Sequence, residues 1–111
     1  MKSKGEEIIK ALLLENFSFL KFFSNYPIGG GLVLDVYIPS ISAAIEFDGI
    51  QHRVYSEFFH HDFDGFVKGI QNDKRKNRVC QKKGIKILRV NDELSYNEIL
   101  ENVREFIQSC I

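Results

Sequence analysis

The chain has 111 residues, a length that suits one compact domain over 1–111 and leaves little room for a second. Hydrophobic residues make up 44% and charged residues 27%, the ordinary balance of a soluble globular protein. Formal net charge is zero, which excludes a global electrostatic argument for nucleic acid, so any such argument has to rest on local patches.

No stretch approaches the roughly 20 apolar residues of a membrane helix. The opening Met-Lys-Ser-Lys-Gly-Glu-Glu lacks the apolar core of a signal peptide. Cys80 and Cys110 form neither a CxxC pair nor a His/Cys metal spacing, and they fit a reducing compartment. A cytoplasmic protein is expected, acting in host cytoplasm if it is phage-encoded.

In chain order, Ile8, Ile9, Leu12 and Leu13 predict a helix over Glu6–Leu14, with Ser3 and Glu6 at capping-box spacing. The aromatic-rich Phe17–Phe23 reads as a strand, after which Pro27 and Gly29-Gly30-Gly31 break the chain. Leu32–Ile38 is the clearest strand, with Leu32, Leu34, Val36 and Ile38 on one face and Val33, Asp35 and Tyr37 on the other. Pro39-Ser40 turns the chain into a strand over Ser42–Asp48. Residues 50–61 read as a loop, and a long helix follows from about Asp62 to Lys83, closed by Gly84. Ile85–Val90 is a short apolar strand of the kind covered on both faces. Ser95 and Glu98 repeat the capping-box pattern before an amphipathic helix through Ile107. The order helix, three strands, helix, strand, helix predicts an α/β fold, a mixed sheet flanked by helices.

Carboxylates concentrate where the chain is apolar. Asp35 sits in a strand with two largely apolar faces, where a carboxylate is costly unless paired or bound to a cation. In the next strand, period-two alternation puts Ala44, Glu46 and Asp48 on one face. A tight turn at Pro39-Ser40 brings Asp35 to the same neighbourhood, and neither strand holds a Lys or Arg to neutralise the three. A divalent cation with oxygen ligands is the economical remedy, Mg²⁺ first and Mn²⁺ second. The competing reading sends the three side chains to separate solvated places.

His52, four residues after Asp48, is either a surface histidine or a proton shuttle near neutral pH. His60-His61-Asp62 reads as loop plus helix cap. On the long helix, Phe63, Phe66, Val67 and Ile70 form a core stripe that continues through Asp73, Asn77 and Cys80. Lys74, Arg75, Lys76, Arg78, Lys82 and Lys83 fill other positions, forming either a solvated face or a phosphate-contacting edge.

Four strings taken together carry a resemblance: Leu-Asp-Val-Tyr-Ile-Pro, Ala-Ile-Glu-Phe-Asp-Gly-Ile-Gln-His, Asn-Asp-Lys-Arg-Lys-Asn and Gly-Ile-Lys-Ile-Leu-Arg-Val. They resemble the very short patch repair endonuclease branch of the PD-(D/E)XK nucleases. The phage homing endonucleases named for a Glu-Asp-x-His-Asp active site are closer still. The resemblance runs from about Gly5 to Asn91 and implies a restriction-endonuclease-like fold and metal-dependent hydrolysis of DNA. By it, Glu6 completes the site from the first helix, and Asp35 and Glu46 hold the metal with the backbone carbonyl of Phe47. Asp48 stands where the motif has Lys, and His52 and Asp73 match the family's His and final Asp. Lys74 is the candidate for the vacated positive charge. Lys21, Gln51, Arg53, Lys74, Arg75, Lys76, Asn77 and Arg78 are expected to contact nucleic acid.

Relatives often carry Arg-Gln on the first strand, where this chain has only Lys21. No DNA-reading module is expected within these 111 residues, so sequence specificity would call for a homodimer, a separate partner or structure in the DNA. The rival reading is a catalytically silent nucleic-acid-binding or protein-interaction domain on the same scaffold. A small-molecule enzyme is disfavoured because no cofactor motif is present.

Overall fold

The computed structural model describes residues 4–48 and 63–111, and for 63–66 the backbone alone. Its elements are α1 (Lys4–Asn16), β1 (Phe23–Gly29), β2 (Leu32–Ile38), β3 (Ala43–Asp48), α2 (Phe63–Lys83), β4 (Lys86–Asn91) and α3 (Tyr96–Cys110). A single 3₁₀ turn at Pro39–Ile41 joins β2 to β3. The strands form one sheet in the order β1-β2-β3-β4. The first two pairings are antiparallel, and β3 pairs with β4 in parallel after the crossover through α2. The expected order of elements and mixed sheet are therefore present. Among the described residues, no helix is long and apolar enough to cross a membrane.

The first strand lies later than the aromatic run suggested. Phe17 belongs to the exit of α1: its N–H donates to the Leu13 carbonyl, its own carbonyl accepts from Leu20, and its ring is buried against the helices. β1 instead covers Phe-Ser-Asn-Tyr-Pro-Ile-Gly and includes Pro27. That proline is tolerated because β1 is an edge strand. The hairpin to β2 reverses through Gly29, Gly30 and Gly31 at φ 96°, 62° and 76°, a run of left-handed residues that glycine alone sustains without strain.

Two apolar clusters lie on the sheet. The larger joins Ile9, Leu12 and Leu13 of α1 and Ile99, Val103 and Ile107 of α3 to Val36, Ile38, Ile45 and Val90. The smaller joins Cys80 of α2 to Ile28, Leu32, Leu34 and Ala44. Leu32, Leu34, Val36 and Ile38 are all buried as the alternation requires, but β2 divides them between the clusters, and the change falls at Asp35. α3 opens with the anticipated capping box. Ser95 Oγ accepts from the Glu98 N–H, and Glu98 accepts from the Ser95 N–H, which holds the Glu98 carboxyl below its usual range.

α1 meets the end of β3 closely. A Cβ built on Gly5 would lie 2.3 Å from ring carbons of Phe47, far inside contact distance. Gly5→Ala is therefore expected to destabilise the fold by about 1–3 kcal/mol through overpacking. Ala in place of Gly normally gains about 1 kcal/mol in a helix interior, so the sign is diagnostic. The urea midpoint reads it: an unchanged or raised midpoint would contradict this packing of Gly5 on Phe47.

Candidate functional site

The site begins where β2 and β3 part. Their pairing runs Ile38↔Ala43, Tyr37↔Ala44 and Val36↔Ile45, and the same register would next set Asp35 against Glu46. Side chains take over there. The Asp35 N–H donates to Glu46 Oε2 at 2.6 Å, and the Phe47 N–H donates to Asp35 Oδ2 at 2.9 Å. Each acidic residue thus satisfies a backbone amide on or next to the other, and the two carboxylates are locked into one locus with the backbone of Phe47. Bonds to charged acceptors of this type are stronger than a neutral ladder bond.

Glu46 is 3% exposed. Its other oxygen, Oε1, accepts from Lys76 Nζ at 2.5 Å, across the face of the sheet that α2 covers. Lys76 is itself largely buried, with its ammonium reaching the carboxylate. Burial, then the neighbouring charge of Asp35, pushes the Glu46 carboxyl above its ordinary value, while Lys76 and the Asp35 amide pull the other way. The outcome is upward because desolvation of the ion exceeds what the partners return.

β4 brings a second cation. Parallel pairing sets Arg89 beside Glu46 and Asn91 beside Asp48. Arg89 Nη1 donates to Asn77 Oδ1 at 2.6 Å, and its Nε lies 3.9 Å from Asp48 Oδ2. Among the described residues, its Nη2 is buried and makes no hydrogen bond. Cys80 lies one helical turn beyond Lys76, its thiol pushed up by burial and then by the charge of Glu46.

The anticipated residues thus fall into groups. Asp35, Glu46 and Phe47 come together as a unit, and Asp48 stands two residues on, beside Arg89. Glu6 is buried in the first turn of α1, next to the Gly5 that abuts Phe47. Asp73 is half-buried on α2, one turn before Lys76, whereas Lys74, Arg78 and Lys21 are exposed. Arg75 Nη2 donates to the Gly30 carbonyl at the hairpin tip, and Asn77 is engaged by Arg89. Gln51, His52, Arg53, His60, His61 and Asp62 lie outside the described residues.

The cation that meets the acidic strand is Lys76 rather than Lys74. The sequence pattern gives Lys76 a nucleic-acid contact instead of this role and leaves Arg89 out. The cause is the phase of α2. Ile70 and Asn77 are exposed, and the inward row steps through Gly69, Asp73, Lys76 and Cys80. Stepping back four residues from buried Cys80 would have found Lys76, a lysine on an inward face opposite a buried glutamate.

The donor set suits a hard divalent cation in part. Two carboxylates supply oxygens in one place, and among the described residues Asp35 Oδ1 receives no hydrogen bond. Among those same residues, no group of three or more His, Cys, Asp or Glu is arranged to hold a metal. Further ligands have to be the Phe47 carbonyl, water, or residues outside the described set.

Comparison with known proteins bears on the fold. No family model matches the sequence. Two curated viral proteins do: uncharacterized protein 033L of Invertebrate iridescent virus 3 is 27% identical over 78 residues, and uncharacterized protein 094L of Frog virus 3 is 39% identical over 67. The matches cover 70% and 60% of this chain but 40% and 43% of those proteins, so the chain spans about two-fifths of the length of these relatives. Among solved structures, the catalytic domain of the homing endonuclease I-Bth0305I superposes with a TM-score of 0.70 at 20% identity, covering 99% of both chains. The fold is that of a homing endonuclease catalytic domain.

A pH dependence follows from Glu46. Its folded-state value lies above the usual 4.5, so the folded chain holds this proton more tightly than the unfolded chain. Stability from this group is present below 4.5, falls as pH rises through the interval up to the raised folded value, and stays lost above it. With chelator present, wild type is expected to lose stability relative to Glu46→Gln as pH rises above 4.5. Urea unfolding of both proteins across that range checks it, and parallel curves would refute the burial-driven shift.

Proposed function

We propose that this chain is a metal-dependent deoxyribonuclease domain of the PD-(D/E)XK type that hydrolyses phosphodiester bonds. The observation that carries the reading is the Asp35–Glu46 pair, fixed by crossed amide bonds where two strands part and faced by Lys76. The homing-endonuclease-like fold supports it.

Asp35 and Glu46, with the Phe47 carbonyl, would hold Mg²⁺ or Mn²⁺. A divalent ion bound there offsets charge on the scissile phosphate and lowers the pKa of water. Lys76 Nζ supplies a positive charge to a non-bridging phosphate oxygen, the contribution the missing motif Lys would otherwise make at Asp48. Asp48, His52 and Glu6 orient the attacking water and accept its proton, and Asp73 braces that arrangement. DNA is the substrate. One centre per chain nicks a single strand, and a homodimer or a specificity-giving partner extends that to a double-strand break.

The test is conversion of supercoiled plasmid with Mg²⁺ or Mn²⁺, with a chelator control. Asp35→Asn is expected to abolish cutting while keeping the fold, and Lys76→Met to slow it by about 10²–10³-fold, the usual loss for one charge-stabilising donor. Mg²⁺ is expected to raise the melting temperature of wild type and not of Asp35→Asn, as mass action at an intact site requires. Cutting by Asp35→Asn at the wild-type rate would refute the assignment. DNA binding indifferent to metal, with no cutting, would favour the silent binding module.

A further inference from the structure

A chain of zero net charge places seven of its 15 lysines and arginines on α2, against two aspartates. On the other helices, Lys10 pairs with Glu7 at 3.1 Å and Arg104 with Glu101 at 2.5 Å, both one turn apart. α2 does the opposite on its hairpin-facing flank. Arg75, Arg78 and Lys82 follow one another at helical spacings of three and four, and with Val79 they line an open pocket of about 240 Å³. Among the described residues none of the three pairs with a carboxylate. Like charges at these spacings repel and cost helix stability, so the row is uncompensated.

The pocket is also built. Arg75 Nη2 donates to the Gly30 carbonyl at 3.2 Å, and its Nη1 to Asn72 Oδ1 at 3.3 Å. Two acceptors thus fix its guanidinium against the hairpin tip while leaving further N–H donors available. A Cβ on Gly30 would stand 3.1 Å from Nη2, so a bare glycine at the tip gives that guanidinium its seat. Seven residues of helix separate Arg75 from Lys82, roughly 10 Å at 1.5 Å per residue. That matches about three base-pair rises of 3.4 Å along a duplex axis.

We propose that this flank of α2 is a clamp for the sugar-phosphate backbone of nucleic acid, distinct from the Asp35–Glu46–Lys76 centre and independent of base sequence. The choice of DNA as the polyanion rests on the nuclease reading; the clamp itself needs no cleavage. Lys76 points inward to Glu46 and Arg75 toward the hairpin, so α2 separates the charge that serves the acidic centre from the charge left to hold a strand.

The test is anisotropy of a fluorescent 20-base-pair duplex with the full chain in chelator, over a range of salt. Wild type is compared with Arg75→Gln/Arg78→Gln/Lys82→Gln and with Lys10→Gln, which removes a cation from another helix; circular dichroism verifies folding. The triple variant is expected to bind about 10–100-fold more weakly near 0.1 M salt, with a log–log salt slope shallower by about 2–3, while Lys10→Gln tracks wild type. Equal affinity and slope for the triple variant would overturn the clamp, as would absence of duplex binding by wild type. Competition by polyglutamate as effective as by unlabelled DNA would overturn the nucleic-acid assignment. Plasmid cutting run alongside keeps the two readings apart. Binding lost in the triple variant with no cutting by wild type keeps the clamp and sinks the nuclease. Cutting by wild type with binding indifferent to the triple change does the reverse.

Discussion

The buried carboxylate of Glu46 is the constraint on which the rest of the site depends. An ion 3% exposed in the middle of a sheet has to be paid for by partners, and Glu46 draws them from two directions. The Asp35 amide fills one oxygen from the neighbouring strand, and Lys76 fills the other from the helix above. Each arrangement has a structural consequence. The first replaces ladder pairing beyond Val36↔Ile45 with side-chain bonds, so the strands part and two carboxylates are left at the opening. The second ties α2 to the sheet at a set rotation, which carries Cys80 into the smaller core against Leu34 and Ala44. The upward displacement of the Glu46 carboxyl marks the residual cost, because the partners offset its desolvation incompletely.

Once Lys76 fixes the rotation of α2, the flanking residues follow from helix geometry. Successive side chains diverge by about 100° around the axis, at 3.6 residues per turn. Arg75 is thereby directed to the hairpin tip at Gly30, Lys76 down to β3, and Asn77 to Arg89 on β4. Three consecutive residues span the sheet from its first hairpin to its last strand. The other face is conventional by comparison. α1 and α3 close it with aliphatic packing, and Lys10 and Arg104 on them are each balanced one turn away. The molecule is thus asymmetric in its chemistry as well as its layers, with the acidic centre and the unbalanced basic row both on the α2 side.

Much of this was legible in the sequence, and the exceptions have physical causes. Period-two alternation identified β3 and put Glu46 on the face away from Ile45 and Phe47, because a strand's side-chain period tolerates no other placement. The Ser95–Glu98 box marked the start of α3 because capping is a local interaction among four residues. Phe17–Phe23 misled because aromatic content signals burial as readily as strand, and Phe17 is buried in a helix exit. The phase of α2 was displaced because apolar counting follows Val67 and Ile70, whereas the inward row contains Asp73 and Lys76. A charged residue on an inward face is invisible to a hydrophobic pattern until its partner is known, and here that partner lies 30 residues earlier.

The motif position held by Asp48 is subject to the same electrostatics. A nuclease site of the proposed kind needs positive charge near the carboxylates, and a strand residue two after Glu46 is one way to deliver it. Here that residue is acidic, and it would add to the repulsion between Asp35 and Glu46 if nothing answered it. Lys76 reaches the cluster from above, and Arg89 stands alongside it on β4, 3.9 Å from Asp48. Coulomb energy depends on distance and surroundings and is indifferent to which element carries the charge. Substitution of Lys by Asp at one strand position is therefore compatible with the proposed chemistry, provided the helix and the last strand hold their cations where they do. Asn77 holds one of them, by accepting from Arg89 Nη1, and the burial of the Lys76 side chain holds the other.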